Sequence, residues 1–471
     1  MTLPLALVLL PLAAAALLAA WPARAAALNV AAAALTLLLA VGLLLVEPGP
    51  EGAWLAADAL NRPLVLVAAL VGLSTAIFSF DDIRAEGFDT GATRLYHACF
   101  QGFVAAQMLA LLADNLGLMW VAIEAATLLC ILVVGMRRTP AAMEAAWKFF
   151  ILCGIGIALA LFGVILLAMA AQPLVEEVRR LSFAAILAAA PRTEAGLLNL
   201  AFLFLLVGFG TKAGLVPLHS WLPDAHAEGP TPIAAVLSGL LLNCAMLGIL
   251  RGLAIVNAHD AAIAPGPFLI AAGLASLLLA SLSLWRRRDA KRLFGWSSIE
   301  HLGLSAFAFG LGGPAGHMAG MVHLCGHALL KSAAFFALGR AAQLRGSQAI
   351  ADISGLARSH PALGWGLIFA MAGLAGLPPF ALFVSELLMA ATAGREAPWL
   401  LLPLLVGLLV AGLAILAAMQ RMGFGPPHPG PAAGVATLLP LWAHLLLAAV
   451  LGFALPEPLA ALFRDAARLL G

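Results

Sequence analysis

The 471-residue chain is 63% hydrophobic and only 10% charged, against roughly 25% charged residues in a typical soluble domain. That composition, with a mean hydropathy of +1.04, excludes a soluble globular protein and indicates one built for a lipid bilayer. A formal net charge of +2 argues against a nucleic-acid partner, and the cluster Arg286, Arg287, Arg288, Lys291 and Arg292 is a topology signal.

Apolar runs of about 18 to 25 residues, enough to cross a hydrocarbon core of roughly 30 Å, recur about fourteen times. They begin near Leu3, Leu28, Leu60, Leu95, Leu116, Ala146, Leu197, Pro232, Pro267, Leu293, Met318, Trp365, Leu400 and Val435. No soluble domain fits between them, so 1–471 is a single all-α polytopic membrane domain. The first run ends on a small-residue exit at Ala23 to Ala25, as a signal peptide does, but lacks a basic start and is read as a first membrane helix. The longest gap contains "VEEVRRLSFAAILAA", an expected amphipathic helix along the interface.

Of the 25 Lys and Arg residues, most fall on one set of loops, from Arg24, Arg84 and Arg94 through the Arg286 cluster to Arg421. The opposite set holds Arg62, Arg179, Arg180, Arg192, Arg251, Arg395, Arg464 and Arg468. The bias predicts both termini on the outer, periplasmic face of the inner (cytoplasmic) membrane. Lys212 and Lys331 belong to neither set, because they fall inside predicted helices. Cys99, Cys130, Cys153, Cys244 and Cys325 stand singly in apolar segments, with no CxxC pair. Neither a disulfide, a metal nor any other cofactor is expected in this chain, and redox chemistry would belong to other subunits.

The fifth run carries Glu124 alone among apolar neighbours. In the seventh, "GFGTKAGLVPLHSWLPDAH", Thr211 precedes Lys212, the reverse of a phosphate loop. Gly208, Gly210 and Gly214 followed by Pro217 and Pro223 predict a helix broken within the membrane, tolerable beside a polar cavity. The eleventh run places His323, His327 and Lys331 at i, i+4 and i+8, one helix face over about 12 Å. In the twelfth, "GLPPFALFVSELLM", Pro378 and Pro379 precede Glu386. Five runs separate the two breaks, which suggests two inverted five-helix repeats, runs four to eight (95–256) and nine to thirteen (264–421). Unpaired, Glu124, Lys212, Lys331 and Glu386 would together cost on the order of 10 kcal/mol, at about 2.5 to 3.5 kcal/mol per mid-membrane charge. Two structural acid–base pairs would relieve that cost but would leave the imidazole row and the two breaks without a purpose. His444, alone in the last run, is read as structural.

"GTKAGLVPLHSWLPDAHAEGPTPIAAVLSG", "AWKFFILCGIG", "DAKRLFGWSSIEHLGL" and "HLCGHALLKSAAFFALG" resemble blocks of the antiporter-like subunits shared by respiratory complex I, membrane-bound hydrogenases and multisubunit cation/proton antiporters. The resemblance covers roughly Leu95 to Ala391, and "LLNCAMLGILR" is similar to the eighth helix of the hydrogenase-4 component F type. It implies proton translocation by a coupled pair, Glu124 and Lys212, with His219 close by. A central relay of His301, His323, His327 and Lys331 and a terminal Glu386 would follow.

The resemblance also implies partners: other antiporter-like and quinone-site-like membrane subunits, and peripheral electron-transfer subunits carrying iron–sulfur clusters and, in a hydrogenase, nickel–iron. Asn243 departs from the Lys or His of complex I relatives, so water must bridge there or the route differs. The chain ends soon after the fourteenth run, without the long lateral helix of the largest complex I type. A group 4 membrane-bound hydrogenase thus leads the two shorter complex I types and a sodium/proton antiporter subunit. A scaffold without transport, or a subunit of an inorganic-carbon uptake system, is a further alternative.

Overall fold

In the computed structural model residues 2–20, 24–45, 54–427 and 430–471 are described; Ala23 of the small-residue exit lies outside them. The helices follow the order of the apolar runs: α1 (Leu3–Ala20), α2 (Ala25–Leu43), α3 (Asn61–Ala85), α4 (Thr90–Leu112), α5 (Leu116–Val134) and α6 (Pro140–Ala171). A short α7 (Phe183–Ala189) precedes α8 (Ala195–Ala213), α9 (Trp221–Glu228), α10 (Thr231–Val236), α11 (Leu242–Asn257), α12 (Gly266–Leu284), α13 (Ala290–Leu311) and α14 (Gly313–Arg345). Then come α15 (Leu356–Ser359), α16 (Pro361–Leu374), α17 (Ala381–Glu396), α18 (Leu401–Gly423), α19 (Val435–Phe453) and α20 (Glu457–Leu470). Among the described residues 12 helical spans are long and apolar enough to cross a membrane. The charged α13, and α16 with α17, occupy the tenth and twelfth predicted runs without meeting that length and composition.

Burial separates the middle of the bundle from its rim. The apolar middles of the spans Thr231–Asn257 and Gly313–Arg345 are wholly buried, whereas only 33% of the membrane-length stretch of α1, α2 and α19 is buried, which leaves their apolar faces for lipid. A helix that is apolar all round and wholly enclosed can afford polar residues only where other helices supply partners. Such an enclosure holds Arg251, which lies at 0% exposure on α11 rather than in a loop. Its guanidinium donates to Asp58 Oδ2 at 3.3 Å and to Ala113 O. Lys291, also placed in a loop by sequence, is buried at the start of α13 and donates to Gly229 O at 3.2 Å. Both helices run past their apolar stretches, and backbone carbonyls or a carboxylate at their ends accept the charge.

The expected interface helix is shorter than its sequence suggests. Only Phe183–Ala189 is α-helical, capped by Ser182, whose hydroxyl donates to Asp114 Oδ2 at 2.5 Å. Phe183 and Ile186 are buried, and Phe183 lies under the Arg251 guanidinium, 5.0 Å from ring centroid to Cζ. The segment therefore covers the end of α11 with its apolar face. At the far end of the chain, α20 buries Ala460, Phe463, Ala466, Ala467 and Leu470. It is held by Asn257 Nδ2 donating to Leu470 O at 2.7 Å.

Two spans are interrupted, and by the same local chemistry. After α8 the chain turns at Gly214 with φ +78°, Gly214 N–H bonding Thr211 O at 3.2 Å and Leu215 N–H bonding Gly210 O at 2.8 Å. After α16 it turns at Gly376 with φ +68°, Gly376 N–H bonding Gly373 O at 3.2 Å and Leu377 N–H bonding Ala372 O at 3.0 Å. Each is the paired C-terminal closure that a glycine in the left-handed region permits, and each has a proline three residues on, Pro217 or Pro379, so the helix cannot resume. The peptide bonds preceding these prolines are cis. Backbone groups freed at the first break are taken up by neighbours. Trp221 Nε1 donates to Thr211 O at 2.9 Å, and Ser276 Oγ of α12 accepts Val216 N–H at 3.0 Å.

Candidate functional site

Lys212 is the last charged residue of α8 before the first break, and its side chain is 0% exposed. Its ammonium donates to Glu124 Oε2 and to Thr127 Oγ1 of α5, both at 2.8 Å. Glu124 and Thr127 are three residues apart and so share one face of α5. The pairing expected from sequence is thus formed, with a hydroxyl that sequence reasoning did not name. The two ends of the pair differ in setting: the Glu124 side chain is 22% exposed at the rim of the bundle. An ion pair of this kind couples two protonation states, because an adjacent carboxylate favours the ammonium and desolvation favours the neutral amine.

His219 stands inside the first break. Its Nδ1 shares a hydrogen bond with Pro217 O at 3.1 Å, and its ring meets Trp296 of α13 edge-on at 5.4 Å. It therefore faces α13, while Lys212 faces α5.

The central histidines come from two helices. His301 of α13 has its ring 5.3 Å from His323 and 5.2 Å from His327 of α14. His301 Nδ1 and His323 Nε2 share a hydrogen bond at 3.2 Å, and His323 Nδ1 lies 2.8 Å from Ser385 Oγ of α17. The Ser385 hydroxyl also reaches Leu382 O at 2.8 Å, so the tautomers of the two rings set which nitrogen donates along this chain of contacts, and His301 Nε2 stands at its end. That nitrogen has no hydrogen-bond partner, nor has either nitrogen of His327.

Lys331, two turns from His323 on the same helix, is 0% exposed and donates to Phe294 O of α13 at 2.7 Å. It lies 5.6 Å from the Phe294 ring centroid, within reach of a cation–π attraction. No carboxylate pairs with it among the described residues. Glu386 is on α17, beyond the second break, and its carboxylate rests against Gly376: a Cβ built there would lie 2.1 Å from Glu386 Oε2. The turn thus needs glycine twice over, for its backbone conformation and for the space the carboxylate fills.

Asn243 occupies α11 just past a π-helical turn, Leu237–Leu241, and donates from Nδ2 to Gly239 O at 3.0 Å. Its Oδ1 is buried without a partner, as are Ser297 Oγ and Glu300 Oε2 on α13. Buried polar atoms are nearly always satisfied by protein or by ordered water. A group of them along α11, α13 and α14 marks a seam suited to water.

Residues 113–411 match the family described as NADH:quinone oxidoreductase/Mrp antiporter, TM. The chain belongs to this family. It is 44% identical to the hydrogenase-4 component F homolog of Methylacidiphilum infernorum (isolate V4), over 91% of each chain. It is 31% identical to NADH-quinone oxidoreductase subunit 14 of Thermus thermophilus, covering 84% of this chain and 86% of that one. Its fold is similar to that of a chain in the membrane-bound sulfane sulfur reductase, an archaeal respiratory membrane complex. The TM-score there is 0.89 at 23% identity, covering 99% of this chain and 97% of the other. The protein is an antiporter-like membrane subunit of the hydrogenase and complex I family.

In this antiporter-like subunit the structure brings together Glu124 with Lys212, and His301 with His323 and His327. Lys331 is held on α13 and Glu386 at the second break, each outside an ion pair among the described residues. Glu300 is the acid that sequence reasoning passed over. It is 3% exposed on α13, beside His301 in "SSIEHLG", and the signal was available: a lone acid inside an apolar span.

Proposed function

We propose that the chain translocates protons as a membrane subunit of a redox-driven complex of the group 4 membrane-bound hydrogenase type. The observation that carries this is the buried Lys212–Glu124 ion pair beside a helix break. Lys212 releases its proton when the Glu124 carboxylate is neutralised or drawn away, and regains it when the carboxylate returns. His219, His301, His323, His327, Lys331 and Glu386 carry the proton between half-membrane paths, with water serving at Asn243. Moving one charge through 100 mV costs about 2.3 kcal/mol, comparable with one or two protonation shifts at about 1.4 kcal/mol each.

The energy comes from partner subunits that hold the iron–sulfur clusters, nickel–iron and a quinone-like site. Glu124, at the rim, is where a neighbouring membrane subunit acts on the pair. The two broken spans belong to inverted repeats over 95–256 and 264–421. The chain sits in the inner membrane with both termini on the periplasmic side. A reporter fused after Gly471 is then extracytoplasmic and one in the loop 286–289 cytoplasmic; the opposite pattern reverses the faces.

The test of function uses the intact complex, isolated through a tag on this chain, reconstituted into vesicles and driven by its own redox reaction. Lys212→Met keeps side-chain length and removes a charge, so assembly is expected to persist while the share of protons per electron supplied by this subunit disappears. Glu124→Gln gives the same loss, and the double variant is no worse than either single one, since two residues acting as a unit are not additive. Full retention by Lys212→Met refutes the role of the lysine. Strictly additive losses mean that the two residues work separately.

A further inference from the structure

Glu300 is a buried carboxylate that the relay just described leaves without a task. It lies on α13 next to His301, is 3% exposed, and its Oε2 has no hydrogen-bond partner. It joins no ion pair among the described residues. A structural acid in such a place would be bonded to a base or to backbone N–H groups, because an unpaired buried carboxylate is costly. Glu300 is instead within electrostatic reach of both the Lys331 ammonium and the Glu386 carboxylate while bonded to neither.

The helix register supports the same placement. Leu304, one turn along α13 from Glu300, and Met389, one turn along α17 from Glu386, belong to a single apolar cluster. The two acids therefore sit at the edge of one helix contact. Ser297, one turn back from Glu300 on α13, also presents an unpartnered buried oxygen, and His301 Nε2 and His327 present unpartnered nitrogens beside it. These atoms give water several unclaimed partners on α13 and α14 around Glu300. There is a counterpart in the first half of the chain: the acid Glu124, on unbroken α5, faces the residue that matters on broken α8, and Glu300, on unbroken α13, faces α17 beyond the break after α16.

We propose that Glu300 is a proton-carrying member of the relay, taking a proton from the His327–Lys331 group and passing it to Glu386. This rests on the proton-translocating role assigned to the subunit. In the first transfer the Lys331 ammonium becomes a neutral amine and the Glu300 carboxylate a carboxylic acid, through intervening water. In the second, Glu300 returns to carboxylate as Glu386 becomes the acid. Each transfer moves one proton and leaves the enclosed charge unchanged; between the two, Glu386 gives up the proton it already holds to the exit side, so that at least one of the two acids is neutral at every stage. Two carboxylates at the edge of one contact are suited to sharing a proton, because mutual repulsion disfavours ionising both.

The experiment uses the intact complex in vesicles, with protons per electron as the measure and co-purification of all subunits as the check on assembly. Glu300→Gln is expected to lower the ratio as far as Lys212→Met does, and Glu300→Asp to recover part of it. The infrared difference spectrum on turnover should show a protonated-carboxyl band that is lost in Glu300→Gln and displaced in Glu300→Asp. A wild-type ratio in Glu300→Gln, alongside a lost ratio in Lys212→Met, overturns the role of Glu300 and leaves the subunit's function standing. Wild-type ratios in both overturn the function and Glu300 with it. If Glu300→Gln fails to assemble, the band in Glu300→Asp decides: displaced, it supports the relay; unmoved, it refutes it.

Discussion

The two helix breaks are alike in backbone and unlike in charge. Both end on a left-handed glycine with the same pair of closing hydrogen bonds and a proline three residues later. At the first, a fully buried ammonium is paired with a carboxylate at 2.8 Å. At the second, Glu386 is pressed against the glycine with no base paired to it among the described residues, and the charge it feels is that of another acid, Glu300. The break itself therefore only frees space and backbone dipoles. What the site does is set by the side chain that fills that space. A closed ion pair is a place where a proton is held and released by moving its partner, whereas facing acids are a place where a proton passes through.

The largest effect that would test this contrast is expected at Glu386. Glu386→Gln keeps the shape of the side chain and removes its titratable proton, so acidification of the outer compartment per electron should collapse in reconstituted complex. An unchanged ratio would put Glu386 off the path and leave the second break without a functional group. The glycines sharpen the contrast. An alanine at Gly214 or Gly376 must adopt a positive φ, costing about 1 to 2 kcal/mol in either place. At Gly214 the added Cβ meets Leu222 Cδ2 at 2.8 Å, the end of a flexible side chain. At Gly376 it meets the Glu386 carboxylate itself, at 2.1 Å. Gly376→Ala should therefore cut pumping well below Gly214→Ala at a similar loss of thermal stability. Equal pumping in the two variants would mean that the position of the Glu386 carboxylate against the turn has no part in transfer.

Much of this was legible in the sequence, and for identifiable reasons. Helix starts were read closely because apolar length and Gly or Pro punctuation mark them: Leu116, Val435 and Pro232 fall at or within one residue of the observed starts. Lys212 and Glu124 were legible because a lone charge in an apolar run is conspicuous and each implies the other. His301 was legible only through resemblance, since one histidine on one helix carries no spacing signal. Its meeting with His323 and His327 depends on how α13 lies against α14. Glu300 was overlooked although it is a lone acid inside the tenth apolar run, because no helix break and no spaced partner on its own helix drew notice to it. Arg251 was misplaced because its partner Asp58, half-buried at the end of the bundle, is 193 residues away in the chain. The short covering helix α7 was overextended because charge alternation in "VEEVRR" imitates amphipathicity, whereas Ser182 and Asp114 fix where the helix begins.

The smallest effect is expected at Asn243, which lies between the two regions. Gly239, one turn before it, faces Ala328 O and Ser332 of α14, while Gly248, further along α11, faces Phe209 of α8. The helix that bears Asn243 therefore touches the Lys212 side and the His327–Lys331 side. An amide cannot carry a proton there, but its unpartnered Oδ1 can hold a water, and its Nδ2 is anchored on Gly239 O at 3.0 Å. Asn243→Leu fills the site with carbon and removes that acceptor. Its cost should be about that of one water-mediated hydrogen bond, at most roughly 1.5 kcal/mol or about tenfold in transfer rate, and so well short of the collapse at Glu386. Asn243→Ala removes the same acceptor and leaves room for water, so it should pump faster than Asn243→Leu. Proton flux in vesicles at saturating redox drive separates them: if Leu, Ala and Asn pump alike, the two regions do not communicate through α11, and the seam must run from His219 past Trp296 to α13 instead.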